Sequence, residues 1–319
     1  MTSPSGSTIS VIAAIVGNLI IAIIKFAAAA MTGSSAMISE GIHSVVDTGN
    51  GGLVLLGMKR AQQPPDETHP FGYGKSLYFW THIVAVSIFG IGGGMSVYEG
   101  ISQMLSITPT TKIGDPTVAF IVLGISFLVE CGSFSVAIRE FLHAKGEMSA
   151  IQFIHQSKDP SLYTVVLEDS AALLGLVFAF LGLFLGHLFH NPYFDGAAAV
   201  AIGLLLMGVA GILASRSMGL LLGEGVSPAE LADIRRRVES DPAVKRAGDI
   251  LTMYIGPTDL LVNMGVCFVP GTTAELIHES IRRIEADLHD AYPEINRVYI
   301  EAESLPTGQA ICSTHDEHN

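Results

Sequence analysis

Residues 8–31 read TISVIAAIVGNLIIAIIKFAAAAM, an apolar run broken by the polar Asn18 and the charged Lys25. A helix needs about 20 predominantly apolar residues to cross a bilayer, so this run predicts a membrane span. No Lys or Arg precedes it. It therefore lacks the basic start of a secretory signal and reads as a retained helix. Five further segments meet the same length, at 36–58, 76–105, 116–139, 161–187 and 193–215, each bounded by Gly, Pro or charge. Composition agrees: 49% of the 319 residues are hydrophobic and 15% are charged, against roughly 25% charged in a soluble domain. Mean hydropathy is +0.48.

The segments order the rest of the chain. The connections 32–35, 106–115 and 188–192 hold one basic residue, Lys112, whereas the opposite face carries Lys59, Arg60, Lys75, Arg139, Lys145, Lys158 and Arg216. By the positive-inside bias the second face is cytoplasmic, which puts both termini there. From Glu224 onward 8 Lys/Arg stand against 17 Asp/Glu, so an acidic polar domain follows the apolar body. The organisation expected is a transmembrane domain over 1–220, a cytoplasmic domain over 221–303 and a disordered tail over 304–319.

In the cytoplasmic part, Ser227-Pro228-Ala229-Glu230 is a capping box with Pro at the first helical position. Strand-like runs at 250–255 and 260–269 flank the turn Gly256-Pro257-Thr258-Asp259. Thr272-Thr273-Ala274-Glu275 caps a second helix, and 298–302 is a last short strand. The order α-β-β-α-β predicts a compact α+β module. A net charge of −13 with no basic stripe argues against nucleic acid. Cys131, Cys267 and Cys312 form no CxxC pair and read as unpaired thiols.

Ionisable groups inside a bilayer cost a few kcal/mol or more, so each is a functional candidate. His43 and Asp47, four apart in the second helix, share one face. Glu168 and Asp169, in the fifth, fall at comparable depth. An imidazole with several carboxylates suits a divalent metal such as Zn²⁺, and the excess of carboxylate leans toward harder ions such as Mn²⁺. Such ligands must lose protons to bind metal, which is the physical basis of antiport. Against this stands a packing role, in which His43 and Asp47 pair with each other or with Lys25. Asn18 and Asn50 orient ligands or hold helices together. Glu130, in the fourth helix, joins a proton path or pairs with a polar neighbour. In the loop 65–75, Asp66, Glu67 and His69 form a possible peripheral metal site. His278-Glu279-Ser280-Ile281-Arg282 is not HExxH, which removes the protease motif.

Six helices, His43xxxAsp47, the segment from Asp66 to Lys75 with its HPFGYGK, and the α-β-β-α-β tail together resemble the cation diffusion facilitator family, the zinc-transporter type of proton-coupled metal exporter. The resemblance covers about 8–303. It implies a transport site with two residues from the second helix and two, four apart, from the fifth. His43, Asp47 and Asp169 match; the fourth position is Val165, which cannot ligate, leaving Glu168, water or Asn18 to complete the shell. The family's loop site would use Asp66 and His69, with Tyr73 where the family has a histidine, and its cytoplasmic histidine positions are here Met264, Gly265, Glu301 and Glu303. A homodimer joined through the cytoplasmic domain is implied, in a multi-pass protein of the plasma (bacterial inner) membrane. It would export metal against proton entry, without a prosthetic group. Zinc is the first expectation, with Mn²⁺, Co²⁺ and Fe²⁺ as alternatives. A membrane-embedded metalloenzyme using His43, Asp47 and Asp169 is the competing class, but it lacks a nucleophile elbow or HExxH, so no enzyme is expected.

Overall fold

The first helix buries polar side chains beside apolar ones and leaves large apolar ones exposed. Ser10 and Lys25 are buried, while Ile9, Ile12, Val16, Leu19 and Ile23 are 47–61% exposed. Apolar side chains turned out and polar ones turned in suit a hydrocarbon solvent, where a polar group without an internal partner is costly. The computed structural model describes residues 4–32, 35–108 and 116–303. The chain divides into two compact units, Met1–Gln62 with Ser76–Met218 and Gln63–Lys75 with Gly219–Asn319.

The first unit is helical: α1 (Pro4–Thr32), α2 (Ser35–Ala61), α3 (Lys75–Ser87), a π-helical segment Ile88–Gly94, α4 (Met95–Ser106), α5 (Thr117–Lys145), α6 (Ala150–Gln156), α7 (Pro160–Leu188) and α8 (Tyr193–Leu222). Among the described residues five helical stretches are long and apolar enough to cross a membrane: Thr8–Ala28, Lys75–Ser106, Thr117–Lys145, Pro160–Leu188 and Tyr193–Leu222. The 27 residues of α2 reach far enough, at about 1.5 Å each. What it lacks is apolarity, because His43, Asp47, Thr48 and Asn50 fall in its middle.

Local chemistry sets the ends. Ser149 and Gln152 close a capping box on α6, and Asp159 accepts from the Ser161 N–H ahead of Pro160 to start α7. Gly146, at φ 54°, ends α5 in a conformation that glycine adopts without strain. The span expected as one helix over 76–105 is interrupted by the π segment, where four glycines (90, 92, 93 and 94) weaken the helical register. The short α6 lies between the segments expected as spans at 116–139 and 161–187.

Two glycine pairs hold that interrupted span against α8. A Cβ built on Gly100 would lie 2.5 Å from the Gly196 carbonyl oxygen, and one on Gly93 would lie 2.9 Å from that of Gly203. Without a hydrophobic effect between helices in lipid, such backbone approach is what gives dispersion contact.

In the second unit α9 (Pro228–Glu239) and α10 (Ala274–Ala291) accompany a sheet of order β1-β2-β3, with β1 (Val244–Gly256) antiparallel to β2 (Asp259–Phe268) and β2 parallel to β3 (Ile295–Glu303). Ile234, Val238, Ile284 and Leu288 from the helices share a core with Val262 and Met264 of the central strand. The loop Gln63–Lys75 belongs to this unit rather than to the helices it joins. A Cβ on Gly74 would meet the Ile255 carbonyl oxygen at 2.5 Å, Lys75 Nζ donates to the Leu221 carbonyl at 3.4 Å, and Arg297 lies 5.4 Å over the Phe71 ring. Cys131 is a free thiol, whereas Cys267 is disulfide-bonded, which corrects the expectation of unpaired cysteines.

Asp241 joins the start of the sheet to α10, accepting from Arg283 Nε at 2.8 Å and Ser280 Oγ at 2.7 Å. Burial works to raise its carboxyl, but the Arg283 guanidinium, the Ala243 N–H and the Ser280 hydroxyl outweigh it and hold it below the usual range. A depressed folded value means stability present above the unfolded value of about 4 and lost as pH falls through the folded one.

Two expectations follow from this architecture. Gly100→Ala should lower the thermal midpoint in detergent, since overpacking costs about 1–3 kcal/mol, whereas Gly124→Ala, with nothing within 4 Å of the added carbon, should not; equal midpoints would remove the glycine seam. Hydrogen exchange of α10, corrected for intrinsic rate, should accelerate in the wild type below about pH 4. Asp241→Asn should be faster already at neutral pH and respond less to acid.

Candidate metal centre

Close approach of α1 to its neighbours comes first, because it sets where the charged side chains can stand. Gly51 of α2 faces Ile15, with a built Cβ only 2.5 Å from Ile15 Cγ1, and Gly17 of α1 faces Ser133 of α5 at 3.4 Å. Small residues at these points let three helices converge around a polar interior.

His43 Nε2 stands 3.8 Å from Asp47 Oδ2, one turn apart on α2, both half-buried. Gly92 of the π segment faces the imidazole, so that a Cβ there would be 3.6 Å from His43 Cε1. A turn further along α2, Asn50 is 2% exposed, and its Nδ2 donates to Glu168 Oε1 of α7 at 3.4 Å. Asp169, also 2% exposed, accepts from Ser133 Oγ of α5 at 3.0 Å. Glu130 is buried on α5, and Lys25, buried on α1, donates to Ser44 Oγ at 3.1 Å. Asp47, Glu130, Glu168 and Asp169 lie close enough for each to feel others' charge, and Glu130 also feels Lys25.

The four helices α1, α2, α5 and α7 thus bring the sequence-derived residues to one interior region. They do not close into a coordination shell: among the described residues no group of three His, Cys, Asp or Glu side chains is arranged to hold a metal ion. Val165, one turn before Asp169, is 3% exposed and lies in the apolar core, so the matching position on α7 offers packing, not a ligand. Glu168 is carried toward α2 by Asn50, whereas Asn18 is half-buried on α1. Ser133 and Ser44 were not singled out from sequence. Ser133 carried one usable signal, its position three residues after Glu130 on α5.

The loop pair is brought together too. His69 Nδ1 lies 3.5 Å from Asp66 Oδ1, and the His69 ring sits 4.1 Å from that of Tyr73. Both carboxylate oxygens have local donors: the Thr68 and His69 N–H groups and the Thr68 hydroxyl on Oδ1, and the Tyr73 hydroxyl on Oδ2 at 2.7 Å. The Tyr73 hydroxyl, then the His69 N–H and the Thr68 hydroxyl, hold the Asp66 carboxyl well below the usual carboxylate range.

Comparison with known proteins falls on the same part of the chain. The cation efflux transmembrane domain matches residues 11–222. The proton-coupled zinc antiporter SLC30A9, mitochondrial, of Homo sapiens is 34% identical over 235 residues, which are 73% of this chain and 41% of that protein. Metal tolerance protein C4 of Arabidopsis thaliana is 29% identical over 242 residues, 75% of this chain and 52% of that one. The cation-efflux pump FieF of Escherichia coli O139:H28 is 28% identical over 239 residues, 74% and 73% of the two chains. The chain therefore spans about two fifths of the length of the human relative it matches.

Were Asp169 to ligate a divalent ion, Ser133→Ala should weaken that binding about 10- to 100-fold, the usual effect of removing a ligand's hydrogen-bonding support. Calorimetric titration of the purified chain would read it. Unchanged affinity would mean that Ser133 does not orient Asp169.

Proposed function

Because the chain belongs to the cation efflux family, we propose that it exchanges a divalent metal cation, zinc in the first place, for protons across the membrane that holds it. The observation that carries this reading is the meeting of α2 and α7 inside an apolar bundle, with His43 and Asp47 on one helix and Glu168 and Asp169 on the other. Zinc is favoured by the human relative, a proton-coupled zinc antiporter. Manganese, cobalt and iron(II) remain the alternatives that a carboxylate-rich donor set allows. A membrane metalloenzyme is not retained, since the family and these relatives are named for cation efflux and antiport.

In this reading α2 is the sixth span, and its polar middle is tolerated because it faces the other helices. Both termini are cytoplasmic, by the distribution of Lys and Arg. The membrane is a bacterial inner membrane or its organellar counterpart, and the protein works as a homodimer through the second unit.

The chemistry follows from charge. Four carboxylates cannot all stay ionised in an apolar interior without cations beside them. Lys25 supplies one positive charge, and the balance is made by protons or by a divalent ion. A metal arriving from the cytoplasm displaces protons from His43 and the carboxylates. Protons arriving from outside displace the metal. Asn50 and Ser133 hold Glu168 and Asp169 so that little reorganisation is needed when the ion arrives. The loop pair Asp66 and His69 is a second, weaker candidate for holding a metal before it enters.

Inside-out vesicles carrying a pH gradient test the reading. Asp47→Ala and Asp169→Ala should each abolish zinc accumulation, and full transport by either variant would sink the site assignment. Glu168→Gln should reduce zinc affinity severely if Glu168 stands in for the missing partner of Asp169; a neutral effect would give that place to water or Asn18.

A further inference from the structure

One buried carboxyl in this interior belongs to neither pair of ligand candidates. Glu130, 3% exposed on α5, has Ser126 at 1% one turn before it and Ser133 at 7% one turn after. Spacings of four and three put the three side chains on one face of the helix, the face that also buries Ala137 and Phe141. α5 packs on α1 and α7.

The charged groups that interact with Glu130 are Lys25 on α1, Asp47 on α2, and Glu168 and Asp169 on α7. No hydrogen bond to its carboxyl is made among the described residues. Ser126 is the second, independent observation: its hydroxyl is buried and without a hydrogen-bond partner. Buried polar atoms are rarely left unpaired, and such an atom calls for an explanation, of which a water molecule bound beside it is one.

We propose that Glu130 is a proton-binding residue separate from the metal ligands, coupled to the metal by charge alone and reached through the Ser126 hydroxyl. The proposal rests on the reading of the chain as a metal/proton exchanger. With a divalent ion between α2 and α7, the added positive charge stabilises the Glu130 carboxylate. When the ion leaves, its carboxylate is one of four facing a single ammonium, and it takes a proton. The step is an acid–base exchange without redox change: the Glu130 O–H bond breaks as metal binds, the proton passes to water, and the bond forms again as metal leaves. Coupling of this kind is reciprocal, so a proton at Glu130 weakens metal binding by the factor by which metal weakens the proton. Ser126 lies one turn from Glu130 toward the Thr117 end of α5, the outer end in the orientation proposed above. Protons would therefore reach Glu130 from the side to which metal is released.

The test is calorimetric titration of purified chain in detergent with ZnCl₂, in buffers of different ionisation enthalpy, which counts the protons released per metal. Glu130→Gln should release about one proton fewer than wild type, with zinc affinity lowered about tenfold, as reciprocal coupling requires, but not lost. Glu130→Asp should keep the wild-type count. An unchanged count in Glu130→Gln overturns the proposal. Lost zinc binding in a variant that still elutes as the folded species also overturns it, because it makes Glu130 a ligand. Infrared difference spectra of Glu168→Gln with ¹³C-labelled glutamate, taken at a zinc concentration shown by titration to saturate that variant, give a measurement that does not depend on Glu130→Gln folding: zinc should remove a protonated glutamate carboxyl band, and its persistence in the zinc-loaded variant overturns the proposal. Failure of the wild type to bind zinc would instead overturn the exchanger reading itself.

Discussion

Negative charge held inside an apolar bundle is the constraint around which the helical unit is arranged. Asp47, Glu130, Glu168 and Asp169 come from three helices, and each interacts with others of the set through charge. Such a set costs several kcal/mol per uncompensated charge in a low-dielectric interior. A buried Lys25 offsets part of it from a fourth helix. In the proposed function the remainder is balanced by protons or by a divalent ion. Like carboxylates that would repel one another when empty become a binding site when a cation stands among them.

Helix packing serves that interior. Gly17 and Gly51 draw α1 toward α5 and α2, and the Gly93–Gly203 and Gly100–Gly196 pairs bring the interrupted span against α8. The π-helical segment lies where Gly92 faces His43. A π turn is weaker than an α turn and recurs at functional sites.

The second unit has a conventional core, with amphipathic helices on a three-stranded sheet. Its less expected component is the loop Gln63–Lys75, which continues α2, the helix of His43 and Asp47, and is fastened to β1 by Gly74 and Lys75. Asp66 folds this loop on itself by giving both oxygens to local donors. The same residues that resemble a peripheral metal site thus also shape the loop.

Most of the architecture was legible without coordinates. Five apolar runs announce themselves by length and composition, because a bilayer demands about 20 residues of continuous apolarity. The capping box at Ser227 and the turn at Gly256–Asp259 are local signals, and the α-β-β-α-β order follows from them. His43 and Asp47 were legible for the same reason, since a spacing of four fixes a shared helix face. What the sequence could not say is which groups meet across helices. Asn50 reaching Glu168, Ser133 holding Asp169, Lys25 bonded to Ser44 and the loop fastened to β1 join residues 19 to 178 positions apart. Contacts of that separation depend on how helix faces rotate and how closely glycines let backbones approach. Those quantities come from packing the whole bundle, and no local pattern encodes them.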